Sequence, residues 1–176
     1  MSLVAMKQEE LDTLSDERLG WVCMEPTFQL IRGKSPSVKS TVISTLTEGQ
    51  RALCMFRVMY DHSCNSAGEY YAWLAYMQEL PGYWSGVTES LQFFGDHGMN
   101  LLLQDTKAVL ERRNEELGQQ WGDVAITDLE REPHLLAMMT SLFARFQDMA
   151  PESLKLIGDY IRNHPEEFVE LESPKE

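Results

Sequence analysis

What most constrains this chain is a set of apolar stripes at three- and four-residue steps, several preceded by a side chain able to cap a helix. Residues spaced this way share one face of an α-helix, and that face must be buried against another element. Leu135, Met138, Met139, Leu142, Phe143 and Phe146 make the cleanest stripe, with Arg145 and Asp148 off it. Ala52, Met55, Phe56, Met59 and Tyr60 make another, opened by Thr47-Glu48-Gly49-Gln50. In that capping box the threonine hydroxyl and the glutamine side chain satisfy orphan amides reciprocally. Tyr70, Trp73, Leu74, Met77 and Leu80 follow a box of the same form, Ser66-Ala67-Gly68-Glu69, and stop at Pro81-Gly82. Trp84, Val87, Leu91 and Phe94 come next, with Gly95 where a left-handed terminal residue is wanted. Asp96 then caps a stripe of Met99, Leu102, Leu103, Thr106 and Leu110 that runs to about Asn114.

The remaining segments are read in the same way. Leu11 to Gly33 makes one or two helices, capped at Ser15 or Asp16 and broken or kinked at Pro26. Val38 to Leu46 is short and read as helix over strand, and residues 115–126 are read as a loop. Thr127-Asp128-Leu129-Glu130 is a third capping box, with Pro133 as a first-turn residue. Pro151 opens a further helix carrying Leu154, Ile157, Tyr160 and Ile161, and Pro165 divides off a last acidic turn. Val42 to Leu46 and Val124 to Thr127 are strand-like but too short for a sheet. The expectation is an all-α, single compact domain of seven to nine helices spanning 1–176, frayed at 1–8 and 172–176. Met1, Ser2 and Leu3 are assigned no role.

An apolar fraction of 43% over 176 residues supports a core without disulfide or metal, so no cofactor is expected. Cys23, Cys54 and Cys64 form no Cys-x-x-Cys pair and fit a reducing compartment. No segment reaches the roughly 18 uninterrupted apolar residues of a membrane span, and the first thirty carry no basic start before an apolar run. The expected location is the cytoplasm. The formal net charge is −13, weighted toward the last third of the chain. Direct nucleic-acid binding needs clustered cations, and the nearest cluster, Arg112-Arg113, is hemmed by Glu111, Glu115 and Glu116. An anionic membrane surface is excluded on the same ground.

Candidate chemistry is sparse. Asp61-His62 and Asp96-His97 sit at helix ends, but their spacing matches no metal signature. No Gly-x-Ser-x-Gly elbow or phosphate-binding glycine loop is present, and His62 with Cys64 is the nearest nucleophile–base pair. Tyr71 and Tyr76 fall off the core stripe of their helix and could line a pocket with His62 and His97. The most conspicuous surface feature is Glu115, Glu116, Asp123, Asp128, Glu130 and Glu132 against Arg131 alone. Such a run is a solvated face or a docking surface for a basic partner.

Residues 47–116 resemble the small bacterial helical domains grouped with the DNA-mimic protein of the DMP type. The resemblance rests on Leu46-Thr47-Glu48 opening a helix, on Ser66-Ala67-Gly68-Glu69-Tyr70-Tyr71, and on Val87-Thr88-Glu89-Ser90-Leu91-Gln92-Phe93-Phe94-Gly95. Ala67 stands where that family has the first glycine of a Gly-Gly pair, and Phe94-Gly95 stands for its Ile-Gly-like step. The resemblance implies an acidic, helical, often homodimeric protein, one type of which occupies the DNA-binding face of a regulator. It carries over no functional residues, because the shared motif is one of packing.

Two functional expectations follow. The first is an acidic interaction module for a basic protein, in its specific form a nucleic-acid mimic for a DNA-binding regulator, using Glu115, Glu116, Asp123, Asp128, Glu130 and Glu132. The alternative is a small-molecule-binding domain or enzyme with a pocket at Tyr71, Tyr76, His62 and His97.

Overall fold

The computed structural model describes residues 3–172, which form nine α-helices and one two-stranded sheet. In chain order these are β1 (Val4–Met6), α1 (Gln8–Thr13), α2 (Asp16–Ile31), α3 (Pro36–Ser44), α4 (Glu48–Ser63), α5 (Ala67–Glu79), α6 (Tyr83–Phe93), α7 (His97–Leu117), α8 (Thr127–Arg131), α9 (Pro133–Asn163) and β2 (Val169–Leu171). Short 3₁₀ turns occupy Trp121–Asp123 and Pro165–Glu167. The all-α expectation holds.

Local capping chemistry explains where several helices start. Thr47 Oγ1 accepts from Gln50 N at 3.1 Å while Gln50 Oε1 accepts from Thr47 N at 3.1 Å, a complete box at the head of α4. Ser66 Oγ accepts from Glu69 N at 3.1 Å and Asp96 Oδ1 accepts from Met99 N at 2.9 Å. Ser15, rather than Asp16, caps α2 through Arg18 N. The third box does not form: Thr127 already lies inside α8, and the Asp128 carboxylate accepts instead from Ala125 N at 3.1 Å.

α4 packs on α2, α5 and α6, while α9 packs on α2, α5, α7 and α8. Between them lie Leu53, Phe56, Leu74, Leu102, Leu103, Leu135, Met139, Leu142, Phe143, Ile157 and Ile161, all buried. Trp73, expected with them, is only half-buried. α9 is continuous where two helices were expected, because its inward stripe runs unbroken through Phe146, Ala150, Ser153, Ile157 and Ile161. Pro151 is exposed, so the Gln147 carbonyl it deprives of a partner faces the solvent side of the helix. Pro26 likewise sits inside α2 without ending it.

Of the residues expected to fray at the start of the chain, Met1 and Ser2 lie outside the described residues, while Val4–Met6 instead pair in parallel with a C-terminal segment, Val4 with Val169 and Met6 with Leu171. The two internal strand-like segments are not strands. Of the expected C-terminal fray, residues 173–176 lie outside the described residues. The closure is latched by Glu167, whose carboxylate accepts from Gly49 N at 3.2 Å and Tyr160 OH at 2.7 Å, while its carbonyl accepts from Gln50 Nε2. Burial pushes the Glu167 carboxyl up, and hydrogen bonds from Thr47, Tyr160 and Gly49 bring it net below the usual range. A Cβ at position 49 would sit 2.8 Å from Glu167 Oε2 and 3.1 Å from Phe168 Cζ, so any side chain there would displace the latch. Arg162 makes the second closure: it donates to the carbonyls of Leu11 and Leu14 at 3.2 and 2.8 Å and pairs with Asp16 at 2.6 Å.

Candidate functional site

The six acidic residues singled out in the sequence divide into two kinds. Glu115 and Glu116 are exposed in the last turn of α7, Glu130 is exposed on α8, and Asp123 is exposed with one carboxylate oxygen accepting from Gln120 N at 2.9 Å. No ion pair involves these four among the described residues. Asp128 is buried, whereas Glu132 is part-exposed, its side chain 38% accessible, and both are committed to one cation. Asp128 is 8% exposed and accepts from Tyr71 OH at 2.9 Å, with Arg113 Nη2 at 3.3 Å. Glu132 takes the same guanidinium as a fork, its oxygens accepting from Nε at 3.1 Å and Nη2 at 2.5 Å. The expectation that all six form one docking face is therefore corrected for Asp128, which is buried against Arg113, while Glu132 reaches the surface paired with the same cation.

This node joins four helices. Arg113 comes from α7, Tyr71 from α5, Asp128 from α8, and Glu132 from the residue before α9. Arg113 is 8% exposed and also donates to Gln119 Oε1 at 3.1 Å, so a cation withdrawn from water is matched by two carboxylates and an amide oxygen. Burial, then the hydrogen bond to Asp128, pushes the Tyr71 hydroxyl up, which keeps it a neutral donor. The hydrogen bond from Arg113 holds the Glu132 carboxyl below its ordinary value near 4.5. A carboxyl depressed in the folded state contributes stability that is present above its unfolded value and lost as pH falls through the folded value. Acid unfolding below about pH 4.5 should thus include a Glu132 component, and Glu132→Gln should flatten stability against pH there while lowering stability at pH 7. Chemical denaturation at pH 7, 4.5 and 3 checks this, and parallel profiles for the two proteins would refute it.

Beside the node lie two depressions. The larger, about 560 Å³, is lined by Asp61 and His62 at the end of α4, by Glu69, Ala72, Trp73, Tyr76 and Glu79 along α5, and by Trp121, Gly122, Val124 and Ile126. The smaller, about 360 Å³, is lined by Glu111, Asn114, Glu115, Gly118, Gln119, Gln120 and Trp121. Trp121 lines both, and among the described residues no lysine or arginine lines either. In the larger groove His62 stacks on Trp73 at 4.1 Å, and Trp73 meets Tyr76 at 4.9 Å. Asp61 is already paired with Arg57 of α4, and Glu69 accepts from Asn65 Nδ2 at 2.7 Å. Among the described residues Glu79 has no hydrogen-bond or ion-pair partner, and it lies over Gly122, where a Cβ would come 2.8 Å from its Oε1.

Of the four residues expected to line a pocket, His62 and Tyr76 do so. Tyr71 is fully buried in the node and His97 begins α7 outside the groove. Glu69, Glu79, Glu111 and Trp121 were missed. Glu69, Ala72, Trp73 and Tyr76 sit at steps of three, four and seven, a second stripe on α5 that the sequence carries in plain view. The Cys64 thiol contacts the Asp61 carbonyl and Asn65 Oδ1, and burial, reinforced by the Asp61 charge, pushes it up, away from the thiolate form. Among the described residues no group of three or more His, Cys, Asp or Glu is placed to hold a metal ion, and no helix is long and apolar enough to cross a membrane. Comparison of the chain with models of known families, with curated proteins and with solved structures finds no match.

Proposed function

We propose that this protein is an acidic interaction module that binds a basic protein surface, in its specific form a nucleic-acid mimic for a DNA-binding regulator. The observation that carries the reading is the pair of adjoining depressions, both lined by carboxylates and neither by a lysine or arginine among the described residues. Glu115, Glu116, Asp123 and Glu130 extend the same charge as exposed carboxylates with no ion pair among the described residues, and the net charge of −13 makes encounter with a cationic partner favourable at long range. The resemblance to DMP-type DNA-mimic proteins points the same way. A second reading, a small-molecule site, is favoured by the placing of His62 and Tyr76 on one groove.

Salt separates the two. Basic proteins captured from a bacterial lysate at low salt should be purified and titrated at two ionic strengths with duplex DNA as competitor. A mimic's affinity falls steeply with salt and DNA competes with it, whereas an uncharged ligand's affinity barely moves. Binding without salt dependence removes the mimic reading. Reversing Glu115, Glu116 and Glu130 to lysine should leave the fold intact, because all three are exposed and make no ion pair among the described residues. At about 0.2–1 kcal/mol per exposed pair plus the new repulsion, affinity at low salt should drop roughly tenfold or more, mostly through slower association. Unchanged affinity in the folded variant would place the contact elsewhere on the molecule.

A further inference from the structure

Within the larger groove, two aromatic rings flanked by two carboxylates run along one face of α5: Glu69, Trp73, Tyr76 and Glu79 follow at steps of four, three and three, and Trp121 lines the groove beside them. Aromatic faces attract cations, and they select a planar guanidinium over a compact ammonium because the guanidinium also stacks. A carboxylate beside such rings completes the recognition, since it accepts the two parallel N–H donors of a guanidinium and only one direction of an ammonium. Glu79 is the groove carboxylate without a hydrogen-bond or ion-pair partner among the described residues, and it lies over Gly122. Asp61 and Glu69 are occupied, by Arg57 and Asn65 respectively.

We infer that this groove receives an arginine side chain of the basic partner, its guanidinium stacked among Trp73, Tyr76 and Trp121 and forked onto the Glu79 carboxylate. The inference rests on the interaction-module reading and gives it an anchor point. The groove's volume of about 560 Å³ exceeds one side chain, leaving room for the flanking backbone of the segment that carries the arginine. The smaller acidic depression across Trp121 lies where neighbouring cationic residues of the same segment would follow.

The test uses two blocked peptides of equal charge, (Gly-Arg)₄ and (Gly-Lys)₄, together with acetyl-arginine amide, titrated calorimetrically at low salt into the full chain and into Glu79→Gln, Trp73→Phe and the Glu115, Glu116, Glu130 reversal variant. The arginine peptide should bind about tenfold more tightly than the lysine peptide. Glu79→Gln, an exposed substitution with no structural partner, should lower arginine-peptide affinity about fivefold to tenfold and erase the preference. Trp73→Phe, which keeps a ring in the packing, should lower it less. Equal binding of the two peptides to the wild type, or no effect of Glu79→Gln while the reversal variant weakens binding, overturns the groove and leaves the interaction module standing. Failure of both peptides to bind the wild type overturns both. Acetyl-arginine amide binding as tightly as the peptide would assign the groove to a free organic cation and overturn the docking of a partner's arginine.

Discussion

Replacing Asp128 by lysine should lower the stability of this protein by about 3–5 kcal/mol, the usual cost of breaking a buried ion pair from one side. The substitution removes one of the two carboxylates facing Arg113 and sets a second cation beside it. It also leaves the buried Tyr71 hydroxyl and the Ala125 amide without their acceptor. At this chain length, with about 2–4 °C per kcal/mol, the melting temperature should fall by roughly 6–20 °C. Asp128→Asn keeps an acceptor for Tyr71 and should cost less than half as much. Denaturant titrations of the three proteins decide the matter. A lysine variant within about 1 kcal/mol of the wild type would mean that the node relaxes without penalty. The contrast with Glu130, two residues on and exposed, is the useful control: lysine there should be close to neutral for stability.

Phe146→Ala should be comparably destabilising, by about 3–5 kcal/mol. Phe146 is fully buried on α9, with ring centroids 5.0 Å from Tyr70 of α5, 6.2 Å from Tyr60 of α4 and 6.2 Å from Phe143. Three helices thus meet on one ring. Tyr70 is further pinned by its hydrogen bond to Thr106 of α7 at 2.9 Å, which limits how far the cluster can collapse into the space left behind. A poorly collapsing site pays the cavity cost as well as the lost transfer energy. The urea midpoint should fall with an unchanged slope, whereas a loss below about 1 kcal/mol would show that the neighbouring rings close over the cavity.

The chain's helices and their starting points were legible in the sequence because the information is local. Thr47 with Gln50, Ser66 with Glu69 and Asp96 with Met99 bond across three residues, and the stripes of α4, α5, α7 and α9 follow from a fixed period of turn. Local signals misled where burial overruled them. Pro151 reads as a helix start, yet a continuous buried stripe from Leu135 to Ile161 carries α9 past it. The β1–β2 pairing joins residues at opposite ends of the chain, and three residues are too few to display alternation.

The acidic segment shows the same division most sharply. Asp128, Glu130 and Glu132 are chemically alike and evenly spaced in sequence, and composition alone determined that this region is strongly anionic. Which of these carboxylates is taken up in an ion pair was decided by Arg113, carried in from α7, because a guanidinium withdrawn from water must be neutralised where it lies. The groove was decided in the same way. Trp73, Tyr76 and Glu79 were fixed on one face of α5 by helical period, but only the packing of the Trp121–Asp123 turn against α5 made that face one wall of a site.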